Sequence, residues 1–429
     1  MKKVLIISYY WPPAGGISVL RTLKFVKYLQ KFGWEPIVYA PKDAAYPYYD
    51  ENNFKDVPNN VKVIRQKIIE PFNLFKFFTG RKKNDSSNPV YVKSKNHFLD
   101  NLFIYIRGNF FIPDARCLWI KPSVRFLTKY LSEYPVDAIL TDGPPHTNTV
   151  IGMQLSEKLQ IPWLADFQDP WTQVDYYQKM RIGKRADRKH QQLEQYVFKT
   201  ANKITIASPS WVEDLEKIGA KNVDPIYYGY DEDDFKDINS VKDSNDFVIA
   251  HAGILGIDRS PDFFLKALSS LKVENSDFSK KLKIRFAGIV DFSIKEMISR
   301  LNLSENFEEM GNIPRKEALQ LISSADLLLL PVNKANNAKG RLPGKLYEYL
   351  RTNNPILALG TLNSDVDDII KQSRTGKLFN YEDYQGIKEY IQTIFSSNAP
   401  FNPDEEYIKL FSAENQTKKI ANFLDEITS

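Results

Sequence analysis

Short, continuous apolar runs recur along this chain, each followed by a polar or glycine-rich turn and then by residues with helical spacing. Lys3–Ser8 is such a run, of the kind found in parallel strands covered on both faces. A loop over residues 9–16 follows, and then Val19, Leu20, Leu23, Val26, Tyr28 and Leu29 recur with helical period until Gly33 stops the pattern. The same reading predicts strands at Glu35–Ala40, Val61–Ile64, Ala138–Thr141, Pro162–Asp166 and Lys203–Ala207, with helices over 122–133, 147–159, 184–201 and 210–217. Such alternation predicts an α/β domain built on a doubly wound parallel sheet.

A polar, acidic stretch from Asn222 to about Asn245 interrupts the alternation, which restarts with strand Phe247–Ala252, a glycine loop and a helix over 261–271. Strands are expected at Leu282–Ala287 and 307–310, and helices over 293–302, 315–324, 385–396 and 412–427. The expected organisation is one Rossmann-like domain over 1–229, a second over 230–411, and a terminal helix, 412–429. No short-period repeat is present.

The most informative stretch is Ala325–Gly360, which reads as a buried strand (Leu327–Leu330), an Asn-rich loop, a helix opening at Leu342-Pro343-Gly344, and a second buried strand (Pro355–Leu359). A helix start suits an anion, because backbone N–H groups and the positive end of the dipole point outward there. Arg341 and Lys345 flank that start and Glu348 lies one turn on. Together they offer donors for a diphosphate and an acceptor for sugar hydroxyls.

Hydrophobic content of 43% and charged content of 26% are those of a soluble globular protein. The single cysteine, Cys117, excludes an internal disulfide and fits a reducing compartment, so a cytoplasmic location is expected. The N-terminal apolar run is short and ends in Trp-Pro-Pro, which reads as a buried strand rather than a signal peptide. Net charge is +5, but residues 61–130 hold 14 Lys/Arg against 4 Asp/Glu, together with 13 aromatic residues. Basic side chains interleaved with aromatics over about 65–125 suit an anionic membrane surface, whereas no nucleic-acid signature accompanies them. The alternative is an aromatic core with lysines on its outside. Residues 79–96 read as a mobile loop.

Ligands of open α/β sheets bind beyond the carboxyl ends of the strands. Four loops belong there. Gly15-Gly16 lets backbone approach a phosphate or sugar, or simply makes a tight turn; it is not a dinucleotide fingerprint. The 142–148 loop carries His146 at a helix start, within reach of a sugar hydroxyl or an acceptor. The 166–171 loop carries Asp166, suited to accepting backbone N–H groups at the strand end, and Asp169, free to orient an acceptor or to stabilise positive charge on a sugar ring; both could instead cap turns. Gly253–Arg259 adds an arginine suited to a diphosphate. The four histidines show no metal-ligand spacing, so no metal site is expected.

These residues resemble the GT-B glycosyltransferases, specifically the retaining, family-4-like enzymes (the glycosyl transferases group 1 type). The resemblance rests on Pro12-Pro13-x-Gly15-Gly16, Asp166-Phe-x-Asp-Pro-Trp171, Tyr228-Gly-Tyr-Asp231 with Phe235, Gly253 to Arg259, Gly311-Asn-Ile-Pro314, Ala325–Pro331 and Glu348. It implies two Rossmann-like domains facing a cleft that closes on the substrates, with Glu348 on the ribose hydroxyls as the second glutamate of a Glu-x7-Glu motif. The first glutamate is replaced by Gly340, which leaves the donor sugar open, and Ile254 stands where many relatives carry an arginine.

The activity so implied is sugar transfer from a nucleoside-diphosphate sugar, UDP being the expected diphosphate, to a hydroxyl acceptor with retention. The acceptor would be lipid-linked or a glycan in surface polysaccharide assembly, and no metal or other cofactor is needed. Asp169, Arg259 and Lys345 are the catalytic candidates. Gly15, Gly16, Gly253, Arg259, Ile313, Arg341, Leu342, Pro343, Gly344, Lys345 and Glu348 would bind the donor, and His146, Asp166 and Asp169 the acceptor. A sugar-nucleotide epimerase of the same fold, or a non-catalytic carbohydrate-binding or assembly protein, are the rival readings.

Overall fold

The computed structural model describes residues 1–70, 97–238, 241–242, 245–334, 337–396 and 401–429, with side chains from 104 onward in the helix that begins at 97. The loop expected over 79–96 lies outside the described residues, as do Phe72, Phe75, Phe77, Phe78, Arg81, Lys82, Lys83 and the side chains of Phe98 and Phe103. The chain divides into two compact units, Met1–Tyr228 with Ala413–Ser429, and Gly229–Ser412.

The first unit is built on strands β1 (Lys2–Ile7), β2 (Trp34–Lys42), β3 (Lys62–Lys67), β4 (Ala138–Gly143), β5 (Trp163–Phe167), β6 (Lys203–Ile206) and β7 (Val223–Pro225). They pair in the order β3-β2-β1-β4-β5-β6-β7, every pair parallel. Period-two geometry sorts β1 between two cores. Leu5 and Ile7 join Tyr39, Ile139, Trp163 and Leu127 on one face. Val4 and Ile6 join Val38, Leu140, Leu164 and the helix Ile17–Tyr28 on the other.

That second face is closed by the terminal helix Ala413–Ile427, which contributes Ile420, Ala421 and Leu424. Gln416 on this helix accepts the Tyr227 N–H at 2.9 Å, and Thr417 donates to the Lys24 carbonyl at 3.4 Å. The GT-B resemblance implies such a return of the terminal helix, 412–429, to the first domain.

The second unit repeats the plan with β8 (Phe247–Ala252), β9 (Leu282–Ala287), β10 (Phe307–Gly311), β11 (Leu327–Pro331), β12 (Ile356–Leu359) and β13 (Gly376–Phe379), in the parallel order β10-β9-β8-β11-β12-β13. Strand order therefore reverses between β1 and β4 in one sheet and between β8 and β11 in the other, the crevices where doubly wound sheets take ligands. The elements outside the sequence expectation include the short helices Ser276–Lys281 and Glu405–Lys409, a longer helix and an edge strand. The helix Asp365–Ser373 starts from Ser364, whose hydroxyl accepts the Asp367 N–H at 3.4 Å. Edge strand β13 passes so close to β12 that a Cβ on Gly376 would fall 2.0 Å from the Ile356 carbonyl oxygen.

Candidate functional site

In the second unit the crevice between β8 and β11 gathers cations. Strand β8 ends in Gly253, which has φ +133 and whose N–H bonds the Ala287 carbonyl at 2.7 Å. A Cβ there would stand 2.3 Å from Lys345 Nζ, so only glycine leaves the notch into which this lysine reaches. Lys345 opens the helix Lys345–Thr352, and its Nζ lies 3.4 Å from His251 Nε2.

His251 is fully buried, and its Nδ1 meets the Leu329 carbonyl at 2.9 Å. A carbonyl only accepts, so the proton sits on Nδ1 and Nε2 offers a lone pair to the lysine. Burial, with Lys345 beside it, holds the ring well below its ordinary pKa, so it is neutral. Burial, then repulsion from Arg259, pulls Lys345 down to about 7, with Glu348 acting the other way. An ammonium so held is stabilised by any arriving anion.

Arg259 leans on Asp258 at 3.2 Å, and Asp258 also accepts from Asn333 at 2.6 Å. Ile254, beside the notch, is half exposed and adds no charge. Glu348, one turn after Lys345, pairs through Oε1 with Arg315 at 2.8 Å, and Arg315 also binds Asp234 at 2.7 Å. That pairing fixes the carboxylate and leaves Oε2 able to accept from a ligand hydroxyl. Arg341, Pro343 and Ile313 are half-buried, and Gly340 is buried.

Leu342 is buried, and the Leu346 and Tyr347 N–H groups bond back to Pro343 and Gly344 at 2.9 and 3.3 Å. Those two bonds involve donors that follow Gly344 and Lys345, and Lys345 adds its positive charge at this end.

In the first unit, Asp166 is 1% exposed and takes a bidentate pair from Arg21, at 2.9 and 2.8 Å, plus the Thr205 hydroxyl at 2.6 Å. This corrects its expected acceptor role, because its oxygens are spent inside the core on a guanidinium rather than on strand-end amides. Asp142 beside it is also buried; it accepts from Ser8, Thr22 and Asn148, and burial raises it to about 6. The Gly15 N–H is likewise committed, to the Tyr48 carbonyl at 2.9 Å, so it offers a ligand no donor. Gly16 keeps a φ of +100 at the start of the first helix.

His146 is 7% exposed and stacks on Trp171 with ring centroids 4.4 Å apart. Burial drops it to about 3, so it too is neutral. Asp169 is half-buried, and its charge acts on Tyr176. His251 and Arg315 are the site residues that sequence reasoning overlooked. A histidine inside the apolar run Phe247–Ala252 was the available signal, since a buried polar side chain needs a reason; nothing marked Arg315.

Residues 232–409 match the family model described as Glycosyl transferases group 1. The solved structures this chain resembles include Anabaena Alr3699/HepE in complex with UDP, at 14% identity and TM-score 0.58, covering 100% of this chain and 97% of that one. The S. aureus protein TarM, solved as a point mutant in complex with fondaparinux, alpha-GlcNAc-glycerol and UDP, shares 11% identity at TM-score 0.56, covering 100% and 97%. A Listeria monocytogenes protein described as a UDP-N-acetylglucosamine 2-epimerase shares 10% at TM-score 0.53, covering 97% and 94%. Identities this low speak for the fold, which is that of the GT-B glycosyltransferases. No curated protein matches the chain in sequence.

Proposed function

From a second unit that is a glycosyl transferases group 1 domain, we propose that this protein moves a sugar from a UDP-type nucleoside diphosphate to a hydroxyl acceptor with retention. The observation that carries the reading is the Lys345 ammonium seated in the Gly253 notch beside neutral His251, with Glu348 one turn on, at the crevice of the second sheet. Lys345 and Arg259 neutralise the diphosphate in the role a metal plays elsewhere, and Glu348 accepts from ribose hydroxyls. The acceptor oxygen attacks the anomeric carbon, the bond to the diphosphate oxygen breaks on the same face, and that oxygen takes the acceptor proton. Asp169 and His146 belong on the acceptor side.

Incubation with a panel of nucleotide sugars and lipid-linked or glycan acceptors, read by mass, should show a sugar moved and UDP released. An epimerised nucleotide sugar without transfer would favour the epimerase reading. If neither appears, and Glu348→Ala leaves UDP binding unchanged, the proposal fails.

Peripheral membrane contact is part of the reading. The helix Ile120–Glu133 carries exposed Lys121, Arg125 and Lys129 four residues apart, beside a stacked row of Phe126, Tyr130 and Tyr134. Among the described residues no helix is long and apolar enough to cross a membrane. Each basic residue near an anionic bilayer contributes about 1 kcal/mol. Reversing these three charges should therefore lower binding to phosphatidylserine vesicles on the order of 100-fold at low salt. Recruitment that ignores both salt and the reversal would leave this row as an ordinary solvated face.

A further inference from the structure

The first unit encloses a cavity of about 230 Å³ that the donor chemistry does not use. Its wall includes Arg107, Arg116, His146, Trp171, Tyr176 and Tyr177. Two guanidinium groups face one small space together with the Asp114 carboxylate, whose charge acts on both, so one carboxylate in the wall stands against two cations. Asp114 caps the helix His146–Leu159, accepting the Thr147 N–H at 2.8 Å and hydroxyl at 2.9 Å, and also takes the Arg116 N–H at 2.9 Å. Glu70 accepts the Tyr9 hydroxyl at 2.6 Å and the Ala45 N–H at 2.7 Å, and approaches Arg116 only at 3.6 Å.

Arg107 makes no hydrogen bond or ion pair among the described residues, and burial together with the Arg116 charge lowers its pKa. Two like charges pressed together in a half-enclosed space are relieved by an anion between them. Beside them lies a flat wall. Trp171 spends its indole N–H on His190 Nδ1 at 3.1 Å, so it meets the cavity as an apolar ring, with His146 stacked on it. His146 Nδ1 is buried without a hydrogen-bond partner. A cationic end and an aromatic plane within one cavity are what an acidic sugar requires. The volume is below the 300–1,000 Å³ usual for drug-sized ligands, so a single ring with its acid fits better than a nucleotide.

We propose that this cavity seats an acidic group, phosphoryl or carboxylate, carried on a sugar ring of the acceptor. The identity of that ligand as an acceptor rests on the transfer reading above, whereas its binding does not. The ring lies along Trp171 and His146, and the acid lies between Arg107 and Arg116.

The test titrates full-length protein with glucose 1-phosphate, glucuronate and glucose by calorimetry, with UDP saturating so that the second unit's diphosphate site is filled. The acids should bind saturably and glucose at least tenfold more weakly; the tighter acid identifies the group. Arg107→Gln should weaken the acids tenfold or more, Arg107→Lys should retain most of the affinity, and neither should alter UDP binding. Glucose binding as well as the acids, no saturable acid binding, or acid affinity indifferent to Arg107→Gln overturns the assignment. Acid binding by a protein that never binds UDP would keep the cavity and sink the transfer reading instead.

Discussion

Lys345→Ala is expected to lower kcat/KM for the sugar donor by about 10²–10³, the usual effect of deleting one preorganised donor to a developing anion. The loss should come with weaker UDP binding, because the ammonium seated in the notch is removed. Gly253→Ala should reproduce it with Lys345 still in the chain, since the new methyl would occupy the position where Nζ sits. The pH dependence carries a definite sign. With Lys345 pulled down to about 7, roughly half of the free protein has the ammonium at neutral pH. The diphosphate prefers the charged form, so binding takes up a proton and affinity falls as pH rises above 7, by at most about tenfold per unit. Calorimetry with UDP between pH 8 and 9, where the phosphates are almost wholly ionised, reads this directly. A flat profile in the parent protein, or an equal slope in Lys345→Ala, would remove the lysine from the site.

Arg21→Ala is expected to destabilise the first unit by about 3–5 kcal/mol, the cost of breaking a buried pair while leaving one charge behind. Such a loss is a large part of the 5–15 kcal/mol that holds a typical domain folded. Arg21 and Asp166 both have fully buried side chains, and the guanidinium also lies over the Phe25 and Tyr228 rings at 5.3 and 5.2 Å. The orphaned carboxylate would keep only Thr205, with buried Asp142 nearby. Replacing both partners, as Arg21→Met with Asp166→Leu, should recover most of the loss, because no buried charge remains. Denaturant melts of the parent and the two variants separate the outcomes: a single mutant within about 1 kcal/mol of the parent would mean that water reaches the pair.

This pair also marks where sequence reasoning stops. Arg21 and Asp166 are 145 positions apart, and no local pattern says that a helix arginine will turn inward to meet a strand-end carboxylate. The strands were legible because runs such as Leu327–Leu330 have no polar face to present to water. Edge strand β13, four residues with Lys377 exposed, carries no such run. The helix Asp365–Ser373 could have been found from Ser364 and the acidic first turn that follows it. In the candidate site, Gly253 and Lys345 stood out by their places after a strand and at a helix start, and Glu348 by lying one turn on and through the family resemblance. Arg315 was invisible, because its pairing with Glu348 depends on how two helices of the second unit meet. For the same reason Asp166 and Gly15 looked available when each is already bonded within the fold.

The first sheet is covered by a helix that the ribosome makes only after the whole second unit. Lys2 Nζ meets Asp425 at 3.1 Å and the Thr428 hydroxyl at 3.0 Å, so the first strand waits some four hundred residues for its neighbours. During synthesis the later unit can finish first, while the earlier one keeps uncovered the apolar face that Ile420, Ala421 and Leu424 join. Nascent chains should therefore be most dependent on chaperones just before residues 413–427 emerge, and a chain ending at Ser412 should aggregate through that face. A circular permutant that links Ser429 to Met1 and opens elsewhere would place the helix beside its strand from the start and shorten that exposure.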